Sequence, residues 1–147
     1  MIKEEFYFDS RDGESRIHAV RYTPDDGNVK GIVQVVHGMA EYVERYENLA
    51  EFLTARGILV TGEDHLGHGK SVAEGGTYGY FCEQDPATVV VRDVHRLKKI
   101  TEESHPEVPY VIVGHSMGSF ITRNYLCRYG KGCLLYTSPS PRDVEES

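Results

Sequence analysis

The 147-residue chain, 39% hydrophobic and 27% charged, has the makeup of one soluble globular domain long enough to bury a core. Its formal net charge of -7, with no Lys/Arg run, argues against a nucleic-acid partner. No stretch nears the roughly 18 to 20 apolar residues of a membrane span, and MIKEEFYF lacks a signal peptide's basic start and apolar core, so stable membrane insertion is not expected and the cytoplasm is.

In chain order, EEFYFDS and SRIHAVRYTP read as two β-rich segments around the turn Arg11-Asp12-Gly13-Glu14, an antiparallel pair. GIVQVVHG is a continuous apolar run, as in a strand covered on both faces. Tyr46, Leu49, Ala50 and Leu53 recur at helical spacing before Gly57, predicting a helix over 42–56. ILVTGED is the next strand. Val90, Val91, Val94, Leu97 and Ile100 mark the buried face of a second helix that ends near His105-Pro106. PYVIVG is another buried strand, and Met117, Phe120, Ile121 and Tyr125 belong to a third helix reaching Tyr129-Gly130.

The order β-β-β-α-β-α-β-α predicts an α/β fold: a mostly parallel sheet with antiparallel first strands and crossover helices on both faces. Ligands then bind beyond the carboxyl ends of the strands, at the loops HGMAEY, DHLGHGKS and GHSMGS. The three cysteines, Cys82, Cys127 and Cys133, show no C-x-x-C spacing and suggest neither a disulfide framework nor a zinc site. Nothing in the sequence fixes an oligomeric state.

Gly114-His115-Ser116-Met117-Gly118 matches G-x-S-x-G. The pentapeptide is weak alone, but between an apolar strand and a helix its glycines allow a tight turn that lifts the serine oxygen above the sheet edge. That predicts Ser116 as a nucleophile, with the Met117 amide at the helix start offered to a developing oxyanion. The plain alternative is a serine capping the third helix. His37-Gly38-Met39 follows the earlier strand, where such a site draws its second donor, so the Met39 amide is nominated beside that of Met117. His37 itself reads as a buried histidine bonded to loop backbone.

In DHLGHGKS a phosphate loop would need glycine where Asp64 stands, and a carboxylate there repels phosphate. Asp64, His65 and His68 could converge on a metal, but a glycine-rich turn gives no face that forces them together. A structural loop beside the site, holding no metal, is the favoured reading.

HGMAEYVERYENLAEFLTARG, DHLGHGKS, VRDV at 91–94 and PYVIVGHSMGSFITRNYL together resemble the α/β-hydrolase superfamily, in the branch of monoacylglycerol lipases, lysophospholipase-like enzymes and serine aminopeptidases. The resemblance implies the amino-terminal half of that fold and cofactor-free hydrolysis of a small acyl ester or lipid through an acyl-enzyme. Ester and peptide bonds both stay open as targets. A non-catalytic ligand-binding protein on the same scaffold, or an acyltransferase or thioesterase, is the alternative.

Hydrolases of this fold order their triad as Ser, then Asp or Glu, then His. No histidine follows Ser116 here, and the acids after it, Asp143, Glu145 and Glu146, lie in the last residues. CLLYTSPSPRD, 133–143, resembles a translated transposase-type sequencing adaptor. The expectation is a partial hydrolase domain over 1–132 and a non-native tail over 133–147. PYVIVG would then be an open apolar edge, prone to recruit other chains, in a poorly soluble and inactive polypeptide.

Overall fold

Alternation of side chains sets the first two strands. In the computed structural model, which describes residues 1–129 and 135–137, β1 (Ile2–Asp9) and β2 (Arg16–Thr23) pair antiparallel from Ile2–Thr23 to Asp9–Arg16. β2 then runs antiparallel to β4 (Ile58–Glu63). β3 (Gly31–Val36) lies parallel to β4 on one side and to β5 (Tyr110–Gly114) on the other. With β6 (Leu135–Thr137), the sheet order is β1-β2-β4-β3-β5-β6, as the apolar runs at β3, β4 and β5 require of strands covered on both faces.

Helices cover both faces. On one, Val20, Tyr22, Val35 and Val60 pack with Val43 and with Ala50 of α1 (Glu47–Thr54). On the other, Ile32, Val36, Leu59 and Ile112 meet Val91 and Val94 of α2 (Pro86–Ser104) and Tyr125 of α3 (Met117–Tyr129). Proline at the start of α2 costs no helical hydrogen bond, and the helix stops at Ser104, before His105-Pro106. Among the described residues, no helix is long and apolar enough to cross a membrane.

Two expectations need correction. The first helix is shorter than 42–56: Val43–Tyr46 winds as a 3-10 turn and the α-helix covers only Glu47–Thr54. Its entry is fixed from outside, because the Val43 amide donates to the Asp64 carboxylate at 2.7 Å. The second correction concerns the bare edge of β5. Leu135–Thr137 forms β6, parallel to β5 from Val111–Leu135 to Val113–Thr137, and satisfies backbone groups that would otherwise be unpaired. The rest of the 133–147 tail lies outside the described residues.

Candidate active site

β3 sends its chain to one side, toward β4, and receives β5 on the other, so the β3/β5 boundary is where strand order reverses. Val36 and Gly114 are paired in register there. The loops that follow them therefore leave the same sheet edge side by side.

The β5 loop is a sharp elbow. Ser116 holds a left-handed backbone, φ 57°, which costs an L-residue roughly 1–2 kcal/mol. The bend is enforced by close packing on either side. A Cβ on Gly114 would lie 2.4 Å from both the Gly118 carbonyl oxygen and Thr122 Oγ1, and one on Gly118 would lie 2.0 Å from the Val36 carbonyl oxygen. Only glycine lets α3 start this close to β3 and β5. A capping serine would hold an extended backbone with its hydroxyl on a helical amide. Ser116 is left-handed instead of extended, its carbonyl oxygen accepts the Ser119 amide at 2.8 Å, and it is exposed to solvent.

Gly38 of the β3 loop abuts this elbow. A Cβ on it would lie 3.1 Å from Ser116 Cβ and 3.1 Å from the His115 carbonyl oxygen. The structure thus brings the Met39-bearing loop and Ser116 together. Met117 opens α3, where a first-turn amide has no helical carbonyl to bond. The Met39 side chain is exposed, so its part in any site rests on its backbone.

His37, His65 and His68 each bond to loop backbone. His37 Nδ1 donates to the Gly38 carbonyl at 2.7 Å, while Nε2 accepts the His65 amide at 3.0 Å. Burial pushes its pKa down to about 4, so it stays neutral. His65 Nε2 donates to the His37 carbonyl at 3.1 Å, and burial drives that imidazole well below its ordinary value. His68 Nδ1 reaches the Leu66 carbonyl at 3.0 Å. These rings brace the floor of the β3 loop, as expected for His37.

Asp64 explains the DHLGHGKS loop. Its Oδ1 accepts the Val43 amide, while its Oδ2 accepts His18 Nδ1 at 2.7 Å and the Lys70 amide at 3.0 Å. The carboxylate fills the anion seat of its own loop, and it faces His18 rather than His65 or His68. Burial raises its pKa, but hydrogen bonds from His18, Val43 and Lys70 outweigh that and hold it below normal. Among the described residues, ligand atoms of Glu5, His18 and Glu44 do lie within 4.8 Å of one another. Lys70 Nζ is already there, 2.8 Å from Glu5 and 3.4 Å from Glu44.

An apolar hollow of about 270 Å³ opens beside the elbow between the first turns of α2 and α3, lined by Val90, Val91, Met117, Phe120, Ile121 and Phe81. A larger one of about 770 Å³ lies over the 66–89 segment and the β1–β2 turn. Ser116 lines neither. The sequence reading missed Glu41 and the His18–Asp64 pair, whose partners are distant in the chain.

The sequence pattern of the serine aminopeptidase S33 family matches residues 27–141. A monoacylglycerol lipase from Mycolicibacterium smegmatis is 37% identical over 108 residues, 74% of this chain and 36% of that protein. The monoglyceride lipase of Rattus norvegicus is 36% identical over 102 residues, 69% of this chain and 32% of that protein. A highly thermostable carboxyl esterase from Bacillus coagulans superposes with a TM-score of 0.87 at 36% identity, over 94% of this chain and 44% of its own. The chain spans about a third of the length of the curated relatives it matches.

Proposed function

This chain belongs to the serine aminopeptidase S33 family of α/β-hydrolases, and on that premise we propose that it carries the nucleophile and oxyanion donors of a serine hydrolase for carboxylic esters. Substrates of monoacylglycerol or lysophospholipid type are favoured, because the named relatives are monoacylglycerol and monoglyceride lipases. Ser116 attacks the ester carbonyl, the tetrahedral oxyanion takes the Met39 and Met117 amides, and collapse releases the alcohol and leaves an acyl-serine for water. The observation that carries this reading is the left-handed Ser116 packed against Gly38.

The proton-shuttling half of such a site is a histidine after the nucleophile, and this sequence has none. We propose that residues 1–132 are a partial hydrolase domain, that 133–147 is non-native because it resembles translated adaptor sequence, and that the acid and base are encoded downstream in the uninterrupted gene. Hydrolysis by the present chain should fall orders of magnitude below that of a complete site, leaving only oxyanion stabilisation and binding. Among the described residues, Cys82 and Cys127 form no disulfide.

The test is fluorophosphonate labelling read by peptide mass. Slow labelling at Ser116 in this chain, fast labelling in the full-length gene product, and loss of both in Ser116→Ala support the proposal. Full-length hydrolysis that survives Ser116→Ala overturns it. A full-length protein that binds lipid but never labels favours the non-catalytic scaffold instead.

A further inference from the structure

One carboxylate oxygen joins the two loops of the site. Glu41 Oε1 accepts the Gly38 amide at 2.7 Å, the Tyr46 hydroxyl at 3.2 Å and His115 Nδ1 at 3.3 Å. Gly38 is the residue before Met39, and His115 is the residue before Ser116. The Glu41 side chain is only 15% exposed, which shelters its bonds to Gly38 and Tyr46 from water, while the His115 bond lies at the solvent-facing side.

The β3 loop needs such a tie. Ala40 adopts φ 59°, a left-handed conformation that an alanine takes only at a cost. The backbone bond that closes the turn, Glu41 amide to Gly38 carbonyl, is long at 3.3 Å. A charge-assisted bond from the Gly38 amide to Glu41 is the shorter and stronger closure. Burial raises the Glu41 pKa, yet the bonds from Gly38 and His115 hold it below its ordinary value, in line with a carboxylate that is ionised as it makes them.

A negative charge beside a place where oxyanion charge develops works against catalysis by itself. Its use there must lie in geometry. We propose that Glu41 is a positioning residue: by gripping Gly38 and His115 with one oxygen, it fixes the Met39 amide relative to Ser116. This rests on the hydrolase reading above.

The test uses the full-length gene product, in which that reading places the acid and histidine. Glu41→Ala frees the loop, and kcat should fall roughly 10–100-fold, less than the 100–1,000-fold typical of deleting a donor, with KM little changed. Glu41→Gln keeps an acceptor oxygen for Gly38 and should retain kcat within about threefold. Binding of a trifluoromethyl ketone, which mimics the oxyanion, should weaken in Glu41→Ala in proportion to its lost kcat/KM. A purely structural residue would not produce that proportionality.

Equal loss in Glu41→Gln and Glu41→Ala with the fold intact, unchanged kcat in both, or a KM effect alone overturns the inference. If Glu41→Ala does not fold, Glu41→Gln and the inhibitor series on it decide. Ser116→Ala, run alongside, separates the two questions: full activity there removes the hydrolase reading whatever Glu41 does.

Discussion

Gly118 lies so tightly under the end of β3 that a Cβ on it would come within 2.0 Å of the Val36 carbonyl oxygen. Backbone oxygen cannot step aside as a flexible side chain can, so a methyl group there must push α3 off the sheet. Gly118→Ala should lose at least about 3 kcal/mol, the upper end for overpacking. Denaturant midpoints check this, and an unchanged midpoint would mean that α3 is more loosely seated than described.

Ser116 holds its left-handed backbone without being glycine. Ser116→Gly removes the steric cost but adds freedom to the unfolded chain, for a net gain of about 0.5–1 kcal/mol. Stability should rise while labelling disappears. Urea unfolding of the two proteins side by side would show the opposite order if the elbow were relaxed.

Asp93 is buried, with Ser10 Oγ donating at 2.7 Å and the Arg11 amide at 2.8 Å. Burial lifts its pKa from 3.8 to about 6 against those two hydrogen bonds. An acid that holds its proton more tightly when folded favours the fold at low pH. That stability is lost as pH rises from about 4 to about 6, by roughly 2–3 kcal/mol. Asp93→Asn should flatten that slope and be the more stable protein at pH 7. Parallel curves for both proteins across this interval would rule the mechanism out.

His18 and Asp64 form a buried pair at 2.7 Å, 46 residues apart. Burial lowers the His18 pKa, but Asp64 and Glu5 raise it above normal overall. The Asp64 contribution is present above its ordinary 3.8 and fades as pH falls through its lowered value. That of His18 is present below 6.5 and fades as pH rises through its raised one. Asp64→Asn should therefore cost about 3–5 kcal/mol, as for breaking a buried pair, with the widest gap from wild type between pH 3.8 and 6.5. A pH-independent difference would count against the ion pair.

Strands were legible where burial is two-sided, because apolar runs such as GIVQVV and YVIVG have few other uses. The elbow was legible because its glycines are there to avoid backbone clashes. The first helix was overestimated because its apolar period starts at Tyr46, inside a segment, Val43–Tyr46, that winds as a 3-10 turn while its Val43 amide is bonded to Asp64 from a distant loop. Neither Glu41 nor His18 could be read in advance, since their partners His115 and Asp64 arrive 74 and 46 residues later. An acid three residues past His37-Gly38 was the available hint.

The pairing of β3 with β5 also sets a schedule for synthesis. After Val36 leaves the ribosome, 73 residues (37 to 109) must be made before Tyr110 begins the neighbouring strand. At the usual 5–20 residues per second, one flank of β3 stays bare for about 4–15 s. From the completion of β4 until Tyr110 emerges, the nascent chain has an apolar ribbon with β4 on one side and nothing on the other, a target for chaperones that shield unpaired strands.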